Sequence, residues 1–282
     1  YTFDVARQDV FTQQGQTDEQ GNFSFEFDMP DFLAGTELEN GLGRFYIEAD
    51  VTDQAAQQES SSLSLPVAQQ ALIIEAIPES GMLRPGLENI LYVLVSTPDG
   101  APVEAAVKVK FDSMEWGFVQ TDAGGLGELH FYPQPEYQSI QLSTLSPAEA
   151  SVTLDLSGLM GSDIQPVLLR PDKPVYTVGE TMNLGIFTDR LTRTAYLDIV
   201  KGGQTLATRA VELQDGRAAV AVDLAPDMAG TLELHAYTLL PDGNYSRDTR
   251  LVVVNDAQEL SIEMQPSCPP DRQEDGLCVF RP

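Results

Sequence analysis

Along most of the chain, apolar and polar residues alternate in short runs. Phe23, Phe25 and Phe27 stand one apart, as do Phe45, Ile47 and Ala49, Val107, Val109 and Phe111, Ala218, Val220 and Val222, and Leu232, Leu234 and Ala236. Spacing of one in two puts the apolar side chains on one face of an extended strand and the polar ones on the other. No run of about 11 residues keeps a period of 3.6 without a Pro or Gly, so helix is expected to be minor. Half-buried strands joined by short turns bury their apolar faces by packing sheet on sheet. The expected fold is all-β: tandem antiparallel β-sandwiches of immunoglobulin or fibronectin-III type.

Four short motifs recur in a fixed order. The first is a turn ending in glycine ahead of a strand: Leu83-Arg84-Pro85-Gly86-Leu87-Glu88-Asn89 before Ile90, and Tyr176-Thr177-Val178-Gly179-Glu180 before Thr181, with Phe280-Arg281-Pro282 resembling its beginning. These occurrences lie about 93 and about 104 residues apart, close to the length of about 100 residues typical of one sandwich. The second is a glycine turn leading into alternation: Thr17-Asp18-Glu19-Gln20-Gly21, Thr121-Asp122-Ala123-Gly124-Gly125, and Gln214-Asp215-Gly216. Asp and Gly suit the positive-φ positions of such turns. The third is an alternating strand, residues 43–49 and 230–237. The fourth closes each unit at residues 62–67, 151–156 and 249–254.

The repeat divides the chain into a first unit over residues 1–69, a second over 70–161, a third over 162–256 and a stub over 257–282. The first unit lacks the opening motif and starts in the strand equivalent to Val107-Lys108-Val109-Lys110-Phe111, so its first strands are expected to be missing. Leu260-Ser261-Ile262-Glu263-Met264 reads as the first strand of a further unit. A neighbouring segment is expected to complete these ends, or their edges stand open.

Net charge narrows the partners. At −27, with only 16 Lys and Arg scattered along 282 residues, the chain has no cationic cluster for phosphates, which argues against nucleic acid and against an anionic membrane surface. The acidity reads as a solvated surface, with a calcium-loaded surface as the other reading. No apolar run approaches the roughly 18–20 residues of a membrane span. Two cysteines, Cys268 and Cys278, flank a Pro-Pro turn and an Asp-Gly turn that let the segment fold back. A loop disulfide is expected, which implies an extracytoplasmic, oxidising compartment, secreted, periplasmic or anchored through parts outside this chain. Two reduced thiols are the alternative.

Candidate chemistry is sparse. His130 and His235 sit on the polar parity of alternating strands with no nucleophile motif beside them, and read as surface or inter-domain residues rather than metal ligands or bases. Asp18-Glu19-Gln20-Gly21-Asn22 offers oxygens but too few for a dedicated calcium loop. Asn22-Phe23-Ser24 and Asn244-Tyr245-Ser246 match the glycosylation sequon at about the rate chance allows. Trp116 is expected in the core or between sheets, with a ligand platform as the lesser reading. No catalytic residue, cofactor or metal site is expected, and the chain is not expected to be an enzyme.

Several of these segments resemble the macroglobulin-domain array of the α-macroglobulin and complement superfamily, in its bacterial style. They are residues 78–89 with Tyr92-Val93-Leu94 and Pro98-Asp99-Gly100-Ala101-Pro102, Arg170-Pro171-Asp172-Lys173-Pro174-Val175-Tyr176-Thr177-Val178-Gly179-Glu180, residues 230–237 followed by Arg247-Asp248-Thr249-Arg250, and Val279-Phe280-Arg281-Pro282. The run from Arg170 to Glu180 resembles the family's "DKPxYxxGE" opener and the last segment its "YRPGE" opener. The resemblance implies middle macroglobulin domains of a protease inhibitor that traps its attacker after cleavage of a bait segment, in many members through a Cys-Gly-Glu-Gln thioester. Neither cysteine here is followed by Gly-Glu-Gln, and no bait-like insertion is visible, so both centres are expected outside this chain. The segment would then be scaffold, its partners neighbouring domains of the same parent and the target protease of the full-length protein. A cell-surface stalk or adhesin of immunoglobulin-like repeats is the competing expectation.

Overall fold

Antiparallel ladders dominate the computed structural model, which describes residues 2–3, 9–29, 42–161, 166–240, 242–256, 273–274 and 277–278. β1 (Thr2–Phe3), β2 (Asp9–Phe11), β3 (Leu42–Thr52) and β4 (Gln58–Ala68) form one sheet in the order β2-β1-β3-β4. The next seven strands are β5 (Ile73–Pro78), β6 (Asn89–Ser96), β7 (Ala106–Phe111), β8 (Met114–Gln120), β9 (Leu126–Phe131), β10 (Ser139–Thr144) and β11 (Ala150–Asp155). They make a first sandwich from sheets β5-β6-β9 and β11-β10-β7-β8. A second sandwich follows from β12 (Val167–Pro171), β13 (Val175–Thr177), β14 (Thr181–Thr188), β15 (Thr194–Lys201), β16 (Gln204–Glu212), β17 (Arg217–Asp223), β18 (Gly230–Leu239) and β19 (Tyr245–Asn255). Its sheets are β12-β14-β17 and β13-β19-β18-β15-β16. A hairpin of β20 (Gln273–Glu274) and β21 (Leu277–Cys278) lies near the end. Among the described residues the helical content is one 3-10 turn, Pro226–Met228.

The two sandwiches share one strand order, and the recurring motifs occupy equivalent places in it. Each glycine opener enters the second strand of the smaller sheet after a parallel contact with the end of the unit: the Leu83–Met160 bridge in one, the β13–β19 pairing in the other. The closing glycines of the second motif also match. Gly125 and Gly216 have φ of 72° and 75°. A Cβ on Gly125 would lie 2.4 Å from the Val95 carbonyl, and one on Gly216 would lie 2.5 Å from that of Thr188, at the same end of the equivalent strands β6 and β14. Both the left-handed backbone and the close approach exclude a side chain. Gly125→Ala and Gly216→Ala should each cost about 2 kcal/mol or more in denaturant unfolding, whereas Gly100→Ala, with φ of 89° and nothing within 4 Å of its Cβ position, should cost only about 1.

The four-stranded sheet β2-β1-β3-β4 repeats the order of β8-β7-β10-β11. The alternating Phe23, Phe25 and Phe27 were the expected strand beside it, but residues 22–29 form none. Their rings instead stack in a row, with Phe27 5.2 Å from Phe11 and 5.3 Å from Phe45. The equivalent strand of the first sandwich, β9, bonds to β6; no strand lies beside residues 22–29 among those described, so their backbone has no ladder to join. The expected strand at residues 260–264 and Cys268 lie outside the described residues, and of Cys278 only the backbone is described.

Each sandwich has its own core. Val93, Val107, Val109, Phe111, Ile140 and Leu142 lie in the first, and Leu184, Leu197, Ile199, Leu232, Leu234 and Val252 in the second. The two apolar clusters do not merge. Polar contacts reach from one sandwich to the other.

Candidate functional site: a charged seam between two sandwiches

At the end of β5, Glu79 is nearly buried, its side chain 4% exposed, and it reaches across to β12. Its carboxylate accepts two hydrogen bonds from Arg170, Nε at 2.8 Å and Nη2 at 2.7 Å, and a third from the Ile90 backbone at 2.7 Å. Such a forked, charge-assisted pair fixes direction as well as distance. Arg170 also donates to the Glu88 carbonyl at 3.2 Å and lies 4.9 Å over the Phe187 ring. Phe187 lies under the guanidinium because Gly185 has no side chain: a Cβ there would come within 2.8 Å of the ring. The Glu79 hydrogen bonds hold the Arg170 guanidinium above its ordinary value against the opposing effect of burial.

A second pair lies behind the first on β19. Ser246, Asp248 and Arg250 occupy the inward parity that Val252 and Val254 continue. Asp248 accepts from the Leu169 backbone at 2.8 Å, the Thr249 backbone at 3.0 Å and Arg250 Nη1 at 3.0 Å. Burial raises the Asp248 carboxyl in spite of Arg250 and Arg84, and burial lowers the Arg250 guanidinium in spite of Asp248 and Glu79. Desolvation thus outweighs mutual attraction for both partners, the signature of a buried ion pair. Thr238 Oγ1, Ser246 Oγ and Arg250 Nη2 are buried here without a hydrogen-bond partner. From the first sandwich, Arg84 extends to the Arg247 carbonyl at 3.4 Å. Its turn is clamped by Asn89, 1% exposed, whose side chain accepts from the Arg84 backbone and donates to the carbonyls of Arg84 and Leu87.

The Glu79 and Asp248 carboxylates thereby face three guanidinia, Arg84, Arg170 and Arg250, and the more exposed Glu88 carboxylate acts on Arg170 from further away. Formal charge balances at the seam of a chain that carries −27. A double-mutant cycle with Glu79→Ala and Arg170→Ala is expected to return a coupling of about 1–3 kcal/mol. Chemical denaturation of the four proteins in urea measures it.

The "DKPxYxxGE" run folds into a corner next to this seam. Tyr176, 1% exposed, donates to Asp172 at 2.6 Å and its oxygen accepts from the Lys173 backbone at 3.1 Å. Burial works to raise the Asp172 carboxyl, but hydrogen bonds from Tyr176 and from the side chain and backbone of Asn183 together hold it below its ordinary value. Burial, reinforced by Asp172, pushes the Tyr176 phenol well up. Glu180 accepts from the Thr177 backbone at 2.9 Å and pairs with Lys173 at 3.2 Å. Tyr176, Asp172, Lys173 and Glu180 thus hold one another in place, with Lys173 and Glu180 on the exposed side.

The other residues singled out from sequence do not assemble. His130 is exposed, 3.1 Å from Glu128 and 3.9 Å from Glu88. His235 Nδ1 lies 2.9 Å from Thr249 Oγ1 on the outer face of β18. Trp116 is not a core residue: it is 45% exposed on β8, packed edge-on against Phe111 at 5.4 Å, because β8 is the outer strand of its sheet. Asp18 closes its own turn by accepting from Gln20 and Asn22. Among the described residues no group of three His, Cys, Asp or Glu side chains could hold a metal ion, and no helix is long and apolar enough to cross a membrane. The seam arginines and acids were all present in the quoted openers, yet nothing in them announced that they meet. The one available signal was polar residues at 246, 248 and 250 on a parity that is otherwise apolar.

Residues 167–274 match the family model of the alpha-2-macroglobulin bait region domain. Over this segment the chain is α-macroglobulin-like. The match takes in the whole second sandwich. Within that α-macroglobulin-like sandwich the longest connection between strands, residues 224–229, is wound into the 3-10 turn, so no bait-sized insertion interrupts it. No curated protein is similar in sequence. Among solved structures, Escherichia coli alpha-2-macroglobulin activated by porcine elastase is 10% identical, over 76% of this chain and 26% of that one, with a TM-score of 0.26. Salmonella alpha-2-macroglobulin reacted with methylamine is 12% identical, over 76% of this chain and 17% of that one, at 0.28. The fibronectin(III)-like modules of Clostridium thermocellum CbhA are 10% identical, over 69% of this chain and 100% of theirs, at 0.25. The likeness to the α-macroglobulin family rests on the sequence match over residues 167–274. The chain spans about a quarter or less of the macroglobulins it resembles.

Proposed function

We propose that this chain is a scaffold segment of an α-macroglobulin-like protease inhibitor, with the bait segment and any thioester lying outside this chain. The observation that carries this reading is the bait-region-domain match over residues 167–274 on a sandwich whose connections are all short and whose buried charges all serve the seam. In this reading the segment performs no catalysis. Its partners are neighbouring domains of its parent and, through them, the protease that the parent traps. The setting is extracytoplasmic, with Cys268 and Cys278 joined in a loop disulfide; a thiol assay on the unfolded, unreduced protein should find no free thiol.

Trypsin tests the reading in two steps. Incubated with this chain alone, it should keep full activity on both casein and a small chromogenic peptide, and no covalent adduct should appear on a denaturing gel. The full-length parent should slow casein digestion while leaving the small substrate untouched, because a trapped protease excludes large substrates only. Inhibition by the isolated chain, or a parent that leaves casein digestion unchanged, would sink the reading.

A further inference from the structure

The second sandwich has an open side. β16 is the outer strand of its larger sheet and β17 the outer strand of its smaller one, and between them runs a trough of about 580 Å³. The first sandwich has the same two edges, β8 and β9, but there they close: a Cβ on Gly127 would lie 2.5 Å from Val119 Cγ1 and 2.9 Å from the Gln120 carbonyl. The trough is therefore a property of this sandwich, not a necessity of the strand order.

Its β17 wall has the features of a receptive edge. Gly216 and Leu224 use their backbone groups on the β14 side, with Thr188 and with Gly179 and Glu180. Strand alternation then turns the backbone groups of Arg217, Ala219, Ala221 and Asp223 the other way, into the trough. Two contacts agree, and they leave the opening centred on Ala219 and the Ala221 N–H: Arg217 bonds in both directions to Gln214 across the turn, and the Ala221 carbonyl accepts from Arg209 Nη1 at 3.1 Å. Ala219 and Ala221 are exposed. Edge strands are normally blunted by a central charge, a proline or a bulge, whereas β17 reads Ala-Ala-Val-Ala-Val between its terminal Arg217 and Asp223 and pairs with β14 in unbroken register. Small side chains let another backbone come close. The charged lining of the trough is Arg209 and Arg217 against Glu212, a cationic excess on a chain of net charge −27.

We propose that this trough docks an extended acidic polypeptide segment, which adds as a strand to the open edge of β17 with its carboxylates towards Arg209 and Arg217. Backbone pairing supplies the fit and the arginines select the charge, as in other cases of strand addition. The cationic excess is local to the trough, so it favours a short acidic segment over a whole second copy, whose net charge of −27 would face that of this chain.

A fluorescein-labelled hexapeptide of alternating valine and glutamate, titrated against the full chain by anisotropy, tests this. Binding should weaken at least tenfold with Ala219→Pro, which removes an outward N–H, and with Arg217→Glu, which reverses a wall charge. A matching valine-lysine peptide should not bind. Amide spectra of the labelled chain should show the largest shifts at Ala219 and Ala221 on adding the acidic peptide. Circular dichroism checks that each variant folds; if the proline variant does not, Arg217→Glu and the amide shifts decide. Absence of binding, equal binding by the lysine peptide, shifts centred elsewhere, or concentration-dependent self-association that Arg217→Glu abolishes would each overturn the proposal.

Discussion

Asp248→Ala is expected to lower the stability of the second sandwich by about 3–5 kcal/mol, since it strands the buried Arg250 guanidinium without its counter-ion and leaves the Leu169 N–H without its acceptor. Equilibrium denaturation in urea measures the loss. The companion experiment separates the value of the pair from the cost of breaking it. Asp248→Ala combined with Arg250→Met should lose much less than Asp248→Ala alone, because an apolar pair owes no desolvation penalty. Equal losses in the two proteins would mean that Arg250 is not the group left stranded. pH adds a further check. Burial raises the Asp248 carboxyl above its ordinary 3.8, so the folded protein holds that proton more tightly than the unfolded chain does. Stability contributed by this group is complete below the unfolded value and declines as pH rises through the folded one. The gap between wild type and Asp248→Ala should accordingly be wider near pH 4 than at pH 7.

Phe111→Ala should cost the first sandwich about 3–5 kcal/mol through a cavity at the centre of its core. The ring is 1% exposed and meets Phe131 at 5.1 Å, Tyr137 at 4.7 Å and Trp116 at 5.4 Å. Because the two apolar cores are separate, the variant should split thermal unfolding into two calorimetric transitions, the earlier belonging to the first sandwich. A single transition displaced as a whole would show that the seam couples the sandwiches more tightly than each holds itself together. Adding Glu79→Ala should then separate the two transitions. The outcome bears on the proposed scaffold role, which needs neighbouring domains held at a defined angle.

Much of the architecture was legible in the chain. Alternation at Val107, Val109 and Phe111 or at Leu232, Leu234 and Ala236 is sufficient for strands, since a two-residue period admits no other way to bury one face. The glycine turns were legible for a similar reason: Gly125 and Gly216 stand where only a residue without Cβ fits, and local sequence carries that demand. Where alternation misled, at Phe23, Phe25 and Phe27, the missing ingredient was a neighbour. A strand exists only with a partner for its ladder, and no property of residues 22–29 themselves supplies one. Trp116 misled in the same way, because aromatic character says nothing about whether a strand lies inside a sheet or on its edge.

By itself, then, the sequence determined an all-β chain of repeated sandwich units, the positions of its obligate glycines and a strong net negative charge, all of them consequences of local pattern or of composition. Only the tertiary structure decided that Glu79 meets Arg170 across 91 positions, that Asp248 and Arg250 are buried behind them, and that β16 and β17 stand apart where β8 and β9 close. Contacts of that kind depend on how two finished sandwiches or two sheet edges are placed in space. No repeat or period along the chain encodes that placement.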